Sequence, residues 1–340
     1  LFPGKNYLNP SFKFLQKLTT PSMTLKSQNE PHVKLLSHNS ENEDINHTVA
    51  RLKSKIGQSP STNSAIIEEQ VNLIDQLAEF PLGIFLLQNR GTDGFWTDYM
   101  IQHQYEGRQS GCDPDGRKLT EFEKFLLDNF PLVVATQQRA VHFKSIIQQY
   151  VAEGSVLASL PCGLMRDLIN LDFSGIENFK LVGIDLDQRS LELAARLAAD
   201  SGLTQRVTFF QGDAWEQPFP EQFNLLTSNG LNVYEPNDQR VLHLYQNFYQ
   251  SLFPGGALVT STITPPPDVE PNSDWDISHI NTDALRLQRI LFSDVLQFNF
   301  AGLRSASKTE KQLKAVGFDQ IEIIWDECRI FPTIVARKPH

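Results

Sequence analysis

Lys180-Leu181-Val182-Gly183-Ile184-Asp185-Leu186-Asp187 decides how this chain folds. A short apolar run that ends on an acid describes a strand buried on both faces, the kind found inside a parallel sheet. Gln188 to Asp200 then reads as a helix closed by Gly202, with Asp187 placed to cap it. Upstream, Ser155 to Leu160 is a strand and Gly163 to Leu171 a helix. Downstream, Arg206 to Phe210 and Phe223 to Ser228 are strands, and Asn237 to Leu252 is a helix with Val241, Leu244, Tyr245, Phe248 and Leu252 on one face. Pro254-Gly255-Gly256 turns into a strand over Ala257 to Thr262. Such alternation means a parallel sheet covered by helices, with the strand C-termini along one edge where ligands bind.

The end of the chain breaks the alternation. Ser307-x-x-Glu310 has the form of a capping box, opening a helix that stops near Gly317. Asp319 to Ile324 and Phe331 to Arg337 then follow as strands with no helix between them, so they must pair antiparallel. The expected fold is α/β: a doubly wound, mostly parallel seven-stranded sheet with a C-terminal antiparallel hairpin, preceded by an N-terminal helical subdomain. Residues 1–62, rich in Asn, Ser, Lys and Pro, read as a loosely ordered arm. Residues 63–152 read as the helical subdomain, in which Thr120-x-x-Glu123 opens one helix and Leu132 to Ala152 forms another. Residues 153–340 form the sheet domain, with 263–306 too long for a simple link and therefore an insertion of the lid kind.

Composition narrows the function. The net charge of −10 makes phosphate backbones poor partners, so no nucleic acid is expected. No apolar run reaches the roughly 18 residues of a membrane span, and Leu1 to Ser22 lacks the continuous apolar stretch of a signal peptide. Cys112, Cys162 and Cys328 are far apart and odd in number, which argues against a disulfide framework or zinc and for a reducing, cytoplasmic setting. Asp113-Pro114-Asp115-Gly116 has the start of a calcium loop, but Arg117 stands where the next ligand belongs, so the expectation is a plain turn and no metal. With 23 Phe, the pocket is expected to be ring-rich.

Four segments leave the strand C-termini with chemistry in them. In Ser159-Leu160-Pro161-Cys162-Gly163-Leu164-Met165, Gly163 lets a ligand approach the backbone at a helix start. Asp185, followed by Leu186, is placed to accept both hydroxyls of a ribose. In Gly212-Asp213-Ala214-Trp215, Asp213 can accept from an exocyclic amine while Ala214 offers a small apolar face. Ser228-Asn229-Gly230 and Tyr234 lie where the reacting end of the ligand would be. The Gly-x-Gly-x-x-Gly of a dinucleotide site is absent.

In series, these motifs resemble the class I methyltransferases that use S-adenosylmethionine (SAM), over residues 151–262 and 307–338. The resemblance implies that the Pro161-Cys162-Gly163 loop holds the methionine end, Asp185 the ribose and Asp213 the adenine, with Pro254-Gly255-Gly256 before the fifth strand and the hairpin as the topological hallmark. The family's first loop usually carries an acid and two glycines; here Ser159, Pro161 and Met165 stand there, and Gly163 alone is kept. Arg139, on the helix before the first strand, is a candidate for the methionine carboxylate, and Tyr234 for a cation–π contact with the sulfonium. His142, His279, Tyr234, Glu235 and Asp276 are base candidates by position alone. The implied activity is methyl transfer to a small acceptor. A catalytically silent SAM-fold binding protein and an aminopropyl transferase are the alternatives.

Overall fold

The computed structural model describes residues 44–58, 63–216, 219–298 and 300–340. A seven-stranded sheet runs in the order β3-β2-β1-β4-β5-β7-β6. The strands are β1 (Val156–Ser159), β2 (Lys180–Asp185), β3 (Val207–Gln211), β4 (Phe223–Ser228), β5 (Leu252–Ser261), β6 (Asp319–Ile324) and β7 (Thr333–Arg337). The first five are parallel, and β7 inserts antiparallel between β5 and β6. Leu157 sits opposite both Leu181 and Leu225, and Leu225 opposite Ala257. The pleat sends that row to one face and Ala158, Val182, Leu226 and Leu258 to the other.

Helices cover both faces. On the first are α6 (Pro131–Ile147), α7 (Arg166–Ile169) and α8 (Gln188–Asp200), which contribute Phe143 and Ile147, Leu168, and Leu191 and Ala194. On the second are α9 (Asp238–Ser251) and α11 (Ala306–Ala315), which contribute Leu244, Phe248 and Leu313. Asp187 caps α8 as expected, accepting from the amides of Arg189 and Ser190. Thr120 likewise caps α5 (Glu121–Asn129).

Ahead of the sheet come α1 (Ile45–Gly57), α2 (Ser64–Leu77), α3 (Pro81–Asn89) and α4 (Gly94–Gln102), the last continued by a π turn over His103–Gly107. In the 263–306 segment, α10 (Thr282–Arg289) runs into a second π turn, Ile290–Val295. Ala284, Leu291, Val295 and Leu296 from this segment lie in one apolar core with Leu73, Leu77, Leu86, Leu126 and Phe130. The segment and the helical region thus share one apolar core and form one cap.

The structure corrects several element boundaries. Residues 45–57, expected to be loose, form a helix capped by Asp44, with Thr48, Leu52 and Ile56 buried at four-residue spacing; residues 1–43 lie outside the described ones. The helix expected over Gly163–Leu171 contracts to Arg166–Ile169 because Gly163 and Met165 hold left-handed backbone at φ +49° and +58°. The last helix is capped by Ser305, which accepts from the Lys308 amide, and not by Ser307. Pro254-Gly255-Gly256 is held inside β5 as an irregularity: Phe223 pairs with Leu252, yet Leu225 already pairs with Ala257.

Candidate functional site

β6 is parallel to β1–β5, so the β6–β7 turn joins the loops that follow β1 to β5 on one edge of the sheet. The cofactor-binding residues singled out from the sequence lie at the ends of those strands or on those loops, except Arg139, which is on α6 together with the base candidate His142. The loop after β1 is pinned from below: the Cys162 amide donates to the Ile184 carbonyl at 2.8 Å, and the Gly163 amide to Asp185 Oδ2 at 2.8 Å. Asp185, buried at the end of β2, also accepts from the Asp187 amide at 2.9 Å through Oδ1. Its carboxylate therefore ties the first two loops together, a role the sequence did not reveal. Cys162 is buried beside it, and burial pushes its thiol well up, with Asp185 and Asp167 adding to the effect. Pro161 is half-buried and Leu186 exposed at the same mouth.

After β3, Asp213 Oδ1 accepts from the Trp215 amide at 2.9 Å, and Ala214 is buried with its carbonyl near Asn247 Nδ2. After β4, the Ser228 carbonyl accepts from Thr260 Oγ1 at 3.0 Å, while Asn229 Oδ1 is buried with no hydrogen-bond partner. Gly230 turns the chain at φ +71°, facing the Phe331 ring and the Arg139 guanidinium. Tyr234 bonds Thr92 through its hydroxyl, and burial raises its pKa.

Arg139 is 3% exposed, its Nε has no hydrogen-bond partner, and among the described residues no carboxylate pairs with it. Its guanidinium lies 3.9 Å from the centroid of the Phe331 ring and 5.8 Å from that of Phe143. Burial holds its pKa down at about 10, against the pull of Tyr234, Asp167 and Asp326. A buried cation without a paired carboxylate can receive an anion.

A model described as a methyltransferase domain matches residues 159–256. No curated protein matches the chain. Among solved structures, SibL, a SAM-dependent methyltransferase in its apo form, shares 12% identity over 87% of this chain and 74% of its own, at a TM-score of 0.47. A SAM-dependent methyltransferase from Methanosarcina mazei shares 16% over 57% and 97%, at 0.40. A Bordetella parapertussis protein described as a possible exported protein shares 38% over 92% of this chain and 99% of that one, at 0.80. The chain belongs to one family with the Bordetella protein. Its fold is that of the class I SAM-dependent methyltransferases.

One residue of this methyltransferase fold escaped the sequence reading. Asp167, on α7, accepts from Thr227 Oγ1 at 2.7 Å, Ser159 Oγ at 3.2 Å and the Leu168 amide at 3.1 Å. Ser159 occupies the position of the family's usual acid, and Asp167 reaches back to it. Desolvation raises the pKa of Asp167. The hydroxyls of Ser159 and Thr227, both facing inward from buried strands, were the signal that an acid lay between them.

The base candidates separate. Glu235 is held by Arg240 at 2.6 Å and by the Asn237 amide. Asp276 turns back on Ser278, and exposed His279 faces Glu327 at 3.5 Å. Those three are engaged in local structure. His142, on α6, has a buried Nδ1 without a partner. Asp113 accepts from the amides of Asp115 and Arg117, the plain turn expected.

Proposed function

We propose that this chain binds SAM along the C-terminal edge of the sheet and passes its methyl group to a small, partly apolar acceptor held beneath the cap. The observation that carries the reading is Arg139, a buried cation whose Nε has no hydrogen-bond partner and whose Nη1 lies beside Gly230 in the loop after β4. A methionine carboxylate meets that need, and Asp167, near enough to act electrostatically on Arg139, suits the ammonium of the same amino-acid end. Gly163 fits a close approach to the backbone, Asp185 and Leu186 the ribose side, Asp213 and Ala214 the adenine, and Ser228, Asn229 and Tyr234 the reacting end. The bound cofactor supplies an already activated methyl group, so the protein's share is alignment and exclusion of water.

The acceptor wall is supported by a ring-rich cluster at the same edge: Tyr234 and Phe300 at 5.8 Å, with Val233, Ile280, Ile330 and Phe331 buried around them. Trp275 closes it, its indole N–H donating to the Thr264 carbonyl at 3.0 Å. The acidic net charge supports a small acceptor over nucleic acid. Among the described residues, no helix is long and apolar enough to cross a membrane.

Titration calorimetry tests the reading directly. SAM and S-adenosylhomocysteine (SAH) are expected to bind and to raise the melting temperature, since a ligand of the folded state stabilises by mass action, while NAD should do neither. Heat from NAD and none from SAM overturns the proposal.

A second measurement places the ribose. Asp185→Ala is expected to weaken SAM by about 1.5–3 kcal/mol through lost charge-assisted hydrogen bonds. Asp187→Ala should instead cost about 1 kcal/mol of stability, the worth of an N-cap, and leave affinity nearly intact. Reversed effects would move the ribose to the next turn of chain.

A further inference from the structure

The backbone at Gly163 is where the proposed cofactor must come closest to the main chain, yet another part of the same chain already stands there. Gly94, the first residue of α4, packs so tightly on this loop that a Cβ added to it would lie 2.9 Å from the Gly163 Cα and 3.2 Å from Ser190 Oγ. One turn further, Asp98 Oδ2 accepts from Arg166 Nε at 2.6 Å. Arg166 opens α7, the helix that leaves the same loop. Asp98 is mostly shielded, and desolvation holds its pKa up despite the arginine. The other side of α4 belongs to the cap core, through Met100, Trp96 and Tyr99. One short helix is thus fixed to the cap by its apolar side and latched to the cofactor loop by its N-terminus and an ion pair.

We propose that α4 is a displaceable plug: it and a SAM-type nucleoside compete for the Gly163 backbone, and binding lifts the start of α4 off the loop and breaks the Asp98–Arg166 pair. The proposal rests on the SAM reading above. Competition of this kind lowers the apparent affinity by the fraction of molecules in the open state. Weakening the latch therefore strengthens binding. Asp98→Asn keeps the shape of the side chain and removes its charge, and it is expected to bind SAH about tenfold more tightly, mostly through faster association.

Hydrogen exchange on the unaltered chain supplies the deciding test. Ligands usually slow exchange around their sites; here the amides of residues 95–102 are expected to exchange several-fold faster when SAH is added, while those of 160–165 slow. Calorimetry on the same sample separates the outcomes. SAH binding with 95–102 slowed or unchanged overturns the plug and leaves the SAM reading standing. No heat from SAH overturns the SAM reading, and the plug with it. Faster exchange in 95–102 together with a tighter Asp98→Asn variant supports the plug.

Discussion

Arg139→Met is expected to weaken SAM binding by one to two orders of magnitude while leaving the fold as stable as before, or more so. The two effects have one cause. Arg139 is buried over two aromatic rings without a paired carboxylate, and burial pulls its pKa down from the ordinary guanidinium range to about 10. At about 1.4 kcal/mol per unit, a drop of that size means the fold bears on the order of 3 kcal/mol to keep the charge at neutral pH. Methionine has a similar length, fills the space beside Phe331 and carries no charge to desolvate. What it removes is a charge-assisted contact to the cofactor's carboxylate, worth about 1.5–3 kcal/mol and so tenfold or more in affinity. A thermal melt and a SAM titration on the same variant check both halves. An unchanged affinity would make Arg139 a packing residue. A large fall in melting temperature would show that it holds the fold.

That pairing of stability cost with binding gain is a property the sequence could only hint at. Strand ends are legible because side-chain period and burial are local: Leu181-Val182-Gly183-Ile184 announces a central strand, and the acid that ends it falls on the ligand edge. Asp185 was therefore placed at the end of its strand, and Asp213 and Asn229 on the loops that follow theirs, where the structure has them. Contacts between distant segments leave no such trace. Gly94 meets Gly163, and Asp98 meets Arg166 across 68 residues, with nothing in either stretch to announce the partner. Asp167 was hidden inside an expected helix that two left-handed residues cut short. The helix at 45–57 was missed because Asn46, His47, Lys53 and Lys55 raise the polarity of a segment whose short apolar stripe, Ile45, Val49, Leu52 and Ile56, packs on the cap core. The insertion, read from the sequence as a lid, has a helix that shares a core with α2, α3 and α5. Excising 270–300 would open that core, so the acceptor wall is better probed by single substitutions.

Arg304 is the structural counterpart of Arg139, and the two should respond oppositely to the same change. Its side chain is 1% exposed and almost every donor is used: Nε to Asp238 Oδ1 at 3.0 Å, one terminal nitrogen to the carbonyls of Asn232 and Gly302 at 3.0 and 2.8 Å, the other to the Glu235 carbonyl at 2.7 Å. This fork pins the 231–235 loop, which carries Tyr234, to the point where the 263–306 segment returns to the sheet. Asp238, shared with Lys308, is held below the usual carboxylate range by both cations. Arg304→Met strands three buried carbonyls, and breaking a buried charged network of this kind costs about 3–5 kcal/mol, on the order of 10 °C in melting temperature for a chain of this size. Arg304→Lys keeps the charge but not the planar fork, so it should recover only part of that loss. SAM affinity, measured below the melting transition, should change far less than in Arg139→Met, because the guanidinium of Arg304 is spent on the protein. A stability loss under about 1 kcal/mol would mean that the 231–235 loop keeps its shape without the fork, and that Tyr234 is positioned by its Thr92 and Phe300 contacts alone.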